Sequence, residues 1–212
     1  MTSSSRVRTP IAYYGADAEA FAARYDAARF DEVHTTLLAH LPAAGAAVLD
    51  VGAGSGRDAL ALARLGYRVV AAEPTAALRR HAQAMDVEGL VDWVDDRLPN
   101  LSRLRGRPDR YAFILCSAVL MHVSPSELAK SFAALSALSG PDGVIAISVR
   151  APLPGEPRQV FHDHDGRDLV AAARTTALHL VAEAELNDSL GRPDIRWRTL
   201  VFGRPPNSSK SA

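Results

Sequence analysis

Apolar residues along this chain switch between two rhythms. From Ala16 to about Leu41, the positions Ala18, Phe21, Ala22, Tyr25 and Ala28, then Val33, Leu37, Leu38 and Leu41, recur at helical spacing and predict two helices before any strand. The segment "LPAAG" ends them. Short apolar runs then alternate with helical patterns: a strand at "AAVLDV", a helix at "RDALALARLG" closed by Gly66, a strand at "YRVVAAE" and a helix at "PTAALRRHAQAM" opened by Pro74. Further strands are predicted near Leu90 to Val94, at "YAFILC" and at "GVIAISVR", with a helix from about Ser124 to Leu138 between the last two. A helix near Arg167 to Ala177 and strands at "LHLVAEAEL" and "IRWRTLVFG" complete the pattern. Strands separated by helices form a parallel sheet covered on both faces, whereas the final two, joined by the turn-rich "NDSLGRPD", pair as an antiparallel hairpin. The expected fold is an open α/β sandwich.

Length and charge narrow the partners. The 212 residues suit one domain, expected over residues 13–204 with a helical cover at 13–42, and the small polar ends 1–12 and 205–212 are expected to be flexible. Lys plus Arg number 24 and Asp plus Glu also 24, so no global field draws the chain to nucleic acid or to an anionic membrane. A single cysteine, Cys116, excludes an internal disulfide and a cysteine zinc cluster. The first residues, "MTSSSRVRTP", lack the apolar core of a secretion signal, and no run approaches the roughly 20 apolar residues that span a bilayer, so a cytoplasmic location is expected.

The candidate chemistry begins where the first strand runs into its helix, in "VLDVGAGSGRD". Gly52, Gly54 and Gly56 permit a tight turn and strip side chains from backbone amides that a flat or anionic ligand must approach. In such sheets ligands bind at this end of the strands. Glu73 ends the second strand 17 residues after Gly56, placed for its carboxylate to accept hydrogen bonds from ribose hydroxyls, so the ligand carries an adenosine. Nicotinamide cofactors and S-adenosylmethionine both qualify. Asp50 inside the first strand, the helical preface and the closing hairpin separate the two, because a dinucleotide-binding strand is ordinarily apolar throughout and opens its domain.

With "WVDDRLPNL" and "FILCSAVLMHV" added, "VLDVGAGSGRDALALARLGYRVVAAEP" resembles the class I S-adenosylmethionine-dependent methyltransferases, especially the single-domain type acting on small molecules. The resemblance runs from about Tyr13 to Gly203. It implies a Rossmann-like, mostly parallel seven-stranded sheet with helices on both faces, the last strand antiparallel and an N-terminal helical cover. It implies that Asp50, Gly52, Ala53, Gly54 and Gly56 surround the cofactor's aminocarboxypropyl group, with Tyr14, Tyr25 and Arg57 near its carboxylate. Glu73 and Pro74 would border the ribose, Asp95 or Asp96 the adenine amino group, and Ser117 the sulfur and adenine side.

Methyl transfer needs mainly positioning, and a base only when the acceptor is protonated. His122 follows the fourth strand at the expected mouth, with an ordinary pKa near about 6.5 that suits proton removal; a cofactor contact is the other role open to it. The stretch "FHDHD" reads as a helix entry with His162 or His164 facing the substrate mouth, and adjacent loop residues do not all converge on a metal, so no metal is expected. Cys116 follows Leu115, without the proline of cysteine-nucleophile methyltransferases, and reads as an inert buried thiol. Base methylation is disfavoured because Ser117-Ala118-Val119-Leu120 stands where an Asn/Asp-Pro-Pro-aromatic loop would. The arginines of "RGRPDR" and "RPDIRWR" read as solvated surface. The acceptor expected is a small molecule or a peptide, transfer being to O, N or S, with no nucleic acid, no membrane and an oligomeric state the sequence does not define. A noncatalytic binder of the same cofactor and an NAD(P)-dependent oxidoreductase are the competing readings.

Overall fold

The computed structural model describes residues 9–205. Seven strands form one sheet: β1 (Ala47–Val51), β2 (Arg68–Ala72), β3 (Val91–Val94), β4 (Tyr111–Ser117), β5 (Ser139–Val149), β6 (His179–Asn187) and β7 (Arg196–Gly203). Their order is β3-β2-β1-β4-β5-β7-β6; all neighbours are parallel except those of β7, which runs antiparallel to both β5 and β6. This is the expected architecture, with the closing hairpin at one edge.

Alternation along the central strands builds two cores. Leu49, Ile114, Ile145 and Ile147 face one layer, where they meet Phe132 and Leu135 of α7 (Leu128–Leu138) and Leu169 of α8 (Gly166–Arg174). Val48, Phe113, Leu115 and Ala146 face the other, against Ala59 and Leu62 of α4 (Arg57–Arg64) and against Phe30 and Leu37. Residues buried on both faces explain why these strands read as continuous apolar runs. The sheet order reverses direction between β1 and β4, so the loops leaving their C-terminal ends splay apart and open a crevice.

The N-terminal cover differs from expectation. Instead of two helices it is α1 (Pro10–Gly15), α2 (Ala18–Asp26), α3 (Phe30–Val33) and a 3-10 turn at Leu38–His40. Helix α1 starts inside the segment expected to be a flexible end: the Thr9 hydroxyl accepts the Ala12 N–H at 3.2 Å and Pro10 occupies the first turn, where its missing N–H does no harm. Residues 1–8 and 206–212 of the expected flexible ends lie outside the described residues. α5 (Ala76–Met85) contacts both α1 and α2, and a short α6 (Ser102–Arg105), which the sequence pattern does not announce, follows β3.

The cover is tied to the sheet by a buried charge cluster. Asp58 in the first turn of α4 accepts from His34 Nε2 at 2.9 Å and from Arg57 Nε and Nη2 at 2.7 and 2.9 Å, and Arg57 Nη1 reaches the Tyr25 carbonyl at 3.4 Å. Burial alone would raise the Asp58 pKa, but the neighbouring His34 and Arg57 outweigh it and hold the carboxyl well below its ordinary range. Asp58→Ala should therefore leave two basic groups without their partner and lower the unfolding free energy by about 3 to 5 kcal/mol. Urea unfolding of the variant is the measurement, and a loss under about 1 kcal/mol would count against the tie.

Candidate active site

The crevice at the strand reversal is a cavity of about 890 Å³, near the top of the roughly 300 to 1,000 Å³ range for small-molecule sites. Of the residues the sequence singled out, Tyr14, Tyr25, Asp50, Gly52, Ala53 and Gly54 line it, as do Arg57, Glu73, Pro74, Asp96, Ser117 and His122. Gly56, Asp95, His162 and His164 do not.

The glycines divide into two kinds. All three have positive φ, +73° at Gly52, +57° at Gly54 and +89° at Gly56. A Cβ on Gly52 would strike the Val119 side chain, and one on Gly56 would lie 2.8 Å from Ala82 Cβ and 2.9 Å from the Trp93 ring, so both positions are closed by the protein's own packing. Gly54 is different: only the Tyr25 ring, at 3.9 Å, and the Gly52 carbonyl, at 4.0 Å, come near. Room for a side chain is therefore left only at Gly54; Gly52 lines the cavity too, whereas Gly56, expected beside the aminocarboxypropyl group, does not, and its glycine serves helix packing.

Glu73 lies beside it, 4% exposed. Its Oε2 accepts the Gly54 N–H at 2.8 Å and its Oε1 the Thr75 N–H at 2.6 Å. Burial raises its pKa, with these N–H groups opposing. Asp50 is 2% exposed and its Oδ2 has no hydrogen-bond partner among the described residues. Burial, then the nearby Asp58 charge, pushes its carboxyl well above the ordinary range. A buried unpaired carboxylate oxygen at a cavity wall calls for a donor or a cation from the ligand.

The two neighbouring aspartates take different directions. Asp95 points away and pairs with Arg79 at 3.1 Å, its side chain 48% exposed. Asp96 turns inward, is buried, and caps α6 by accepting the N–H groups of Arg103 and Leu104 at 2.9 and 3.0 Å. Ser117 shares a hydrogen bond with Ser148 at 3.1 Å, and Ala118 beyond it takes a strained left-handed φ of +58°, held by its N–H on the Ser148 carbonyl at 2.9 Å.

At the other end of the cavity stand His122 and Tyr14. His122 Nδ1 lies 2.8 Å from the Val160 carbonyl, which only accepts, so Nδ1 carries the proton and Nε2 accepts the Tyr14 hydroxyl at 3.0 Å. Burial pushes the His122 pKa down to about 4, which corrects the expectation of a group poised near neutrality. Burial likewise raises Tyr14 and Tyr25. Cys116 is fully buried, and burial pushes its thiol up, as an inert packing residue requires.

His162 and His164 are not brought to the cavity. The His164 ring is buried with Nε2 2.8 Å from the Val123 carbonyl, and the His162 N–H donates to the Met121 carbonyl at 2.7 Å, so the pair fixes the loop that carries His122. Sequence reading missed the far wall. Arg150 leaves the end of β5 and grips Glu156 through Nη1 at 2.8 Å and Nη2 at 2.6 Å, lying over the Phe161 ring at 5.2 Å. Arg192 holds Asp188 through Nε at 2.9 Å and Nη2 at 2.7 Å, and Trp197 Nε1 donates to the same carboxylate at 2.9 Å. Arg192, expected as solvated surface, lines the cavity; Arg196 and Arg198 of the same stretch do not. Among the described residues no group of three or more His, Cys, Asp or Glu side chains is arranged to hold a metal, and no helix is long and apolar enough to cross a membrane.

A profile for the methyltransferase domain matches residues 21–191. The chain belongs to the methyltransferase domain family. No curated protein matches its sequence. Solved structures show this domain's fold in several settings. A TehB-like SAM-dependent methyltransferase from Corynebacterium glutamicum is 19% identical over 90% of this chain and 99% of its own, with a TM-score of 0.66. Magnesium protoporphyrin IX methyltransferase from Synechocystis PCC 6803, solved with SAH, is 19% identical over 82% of this chain and 81% of its own, TM-score 0.65. The 1,6-didemethyltoxoflavin-N1-methyltransferase from Burkholderia thailandensis, solved with its acceptor and S-adenosylhomocysteine, is 22% identical over 80% of this chain and 75% of its own, TM-score 0.61.

The His122 environment gives a pH dependence. Its folded pKa of about 4 lies below the ordinary 6.5, so its contribution to stability is whole above about pH 6.5 and is lost as pH falls toward 4, in total on the order of 3 kcal/mol. Nitrogen-15 spectra of the ring should show the neutral Nδ1–H tautomer throughout pH 5.5 to 8. A His122 titration midpoint near 6.5 would contradict this.

Proposed function

We propose that this methyltransferase domain binds S-adenosylmethionine and moves its methyl group to an oxygen, nitrogen or sulfur atom of a small molecule or a peptide. The observation that carries the reading is the open side at Gly54 flanked by two buried carboxylates, Glu73 and the unpartnered Asp50. A nucleoside with a cationic tail fits this donor set. Each Glu73 oxygen already takes one backbone N–H and keeps a second lone pair for a ribose hydroxyl. Asp50 Oδ2 meets the ammonium of the aminocarboxypropyl group, beside Gly52 and Ala53. Asp96 faces the adenine side, with Pro74 and Ser117 bordering the nucleoside. Arg57 holds Asp58 and so contributes to the carboxylate site mainly by fixing the cover, while Tyr25 is carried there on α2.

When bound, the cofactor supplies a methyl group already electrophilic on its sulfonium. The chain's own residues then have to orient the acceptor and exclude water, which in favourable cases is worth about 7 to 11 kcal/mol. His122 positions Tyr14: its Nε2 fixes the hydroxyl proton, leaving the Tyr14 oxygen to accept from a ligand or from Tyr25. Held near a pKa of about 4, the imidazole is a weak general base at neutral pH. The small-molecule reading rests on a cavity lined by the cover and by the β6–β7 connection, and neighbours named for magnesium protoporphyrin IX and 1,6-didemethyltoxoflavin agree with it.

Isothermal calorimetry should show S-adenosylmethionine and S-adenosylhomocysteine binding. Glu73→Ala removes hydrogen bonds worth about 1.5 to 3 kcal/mol each and should weaken both ligands at least about tenfold, with folding checked by circular dichroism. Unchanged affinity in the folded variant would sink the ribose role. Release of S-adenosylhomocysteine on mixing with an acceptor panel separates a transferase from a noncatalytic binder.

A further inference from the structure

The cavity is electrically polarised. Its cofactor half carries Asp50, Glu73 and Asp96, whereas the half beyond Tyr14 carries Arg24, Arg150 and Arg192 together with Glu156 and Asp188. Arg150 pairs with Glu156 and Arg192 with Asp188, so Arg24 is the cation in excess among these five. Arg24 lies over the Phe21 ring at 5.6 Å and, among the described residues, makes no ion pair. Arg150 directs Nη1 and Nη2 to Glu156 and Ala151, and Arg192 directs Nε and Nη2 to Asp188, leaving Arg150 Nε and Arg192 Nη1 outside these bonds.

The same wall is aromatic. Phe161 stands edge to His122 with centroids 4.8 Å apart, Phe21 meets Tyr14 at 4.8 Å and Tyr25 at 6.2 Å, and Trp197 of β7 also lines the cavity. Such walls take flat rings in stacked or edge-on contact.

Resting on the transferase reading above, we infer that the acceptor is a planar aromatic compound whose oxygen is already an anion at neutral pH, seated among these rings and drawn to the Arg150 and Arg192 end. This supplies what His122 does not: no proton has to be removed. The acceptor oxygen uses a lone pair to form the new O–C bond while the S–C bond breaks with its electrons left on sulfur, and the anion and the sulfonium both become neutral.

Protein saturated with S-adenosylhomocysteine is titrated calorimetrically with four naphthalenes of similar shape: 1-naphthoate as a carboxylate, 2,4-dinitro-1-naphtholate as a phenolate, 1-naphthalenemethanol as a neutral ring and 1-naphthylmethylamine as a cation. At least one anion should bind about tenfold or more tighter than the neutral ring, with the cation weakest, and whichever anion binds tighter identifies the carboxylate or phenolate class. Arg192→Gln, at a partly exposed side chain, should reduce the anion's advantage at least about threefold, and Arg150→Lys, which keeps the charge but not the fork, should reduce it while preserving the fold. Equal or tighter binding of the neutral or cationic ring, or no binding by any of the four, would overturn the proposal. Failure of S-adenosylhomocysteine itself to bind would overturn the transferase reading and this one together.

Discussion

The Glu73 carboxylate joins the two loops on which the site is built. By accepting the Gly54 N–H with one oxygen and the Thr75 N–H with the other, it fixes the turn after β1 against the segment that starts α5. Apolar packing at Gly52 and Gly56 places the ends of the turn, but at Gly54 the open side faces the cavity, and Thr75 lies at a helix start whose side chain makes no cap. A buried carboxylate costs solvation, as its raised pKa records, and two backbone donors offset that cost. The arrangement orders the loop before any ligand arrives, so less backbone freedom has to be lost on binding.

From that anchor the site becomes dry and graded in charge. Asp50 and Asp58 sit close enough for one to raise the other, and the pair separates because His34 and Arg57 hydrogen-bond Asp58, whereas Asp50 feels Arg57 only through its charge. Asp58 thus stays ionised and structural, while Asp50 keeps a free oxygen toward the cavity. The histidine at the far end is governed by the same desolvation, which keeps it neutral and makes it an acceptor for Tyr14. A dry wall of neutral tyrosines and paired arginines suits charge that vanishes during reaction better than charge that must be created there.

The fold was legible because its signals are local. Apolar runs such as "YAFILC" are buried on both faces, and the glycine turn, Asp50 and Glu73 sit at strand ends that the βα alternation places together. The choice between Asp95 and Asp96 was not legible, since neighbours at a strand exit point opposite ways and only the path of the following loop turns Asp96 inward onto α6. The acceptor wall was the least legible of all. Tyr14 and His122 are 108 residues apart, and His122 and Val160 are 38 apart, so no spacing rule links them. Arg192 looked like surface because its neighbours Arg196 and Arg198 are partnered on the hairpin's outside, and only the fold of the "NDSLGRPD" connection brings Asp188 and Arg192 over the cavity. The short α1 went unread for a related reason: it has no buried residue and therefore no apolar period to announce it.

That absence of burial says how the cover is held. α1 buries no residue fully and α2 only Ala22, so the apolar area that fixes them over the cavity comes from half-buried rings such as Tyr13, which packs on Met121, Val160 and Phe161. Their attachment is polar and aromatic: Tyr14 to His122, Asp26 to His81, the Tyr25 carbonyl to Arg57, and the edges of Tyr13 and Phe21 against the rings around them. Elements attached this way belong to the low end of the range of local opening energies, while β1, β4 and β5 at the sheet centre belong to the high end. A cofactor and an acceptor that fill an 890 Å³ space beneath such helices have a route in that leaves the two cores intact. Tyr14, Tyr25 and Arg57, through which the cover is held, also line that space, so whatever fills it meets the cover as well as the sheet.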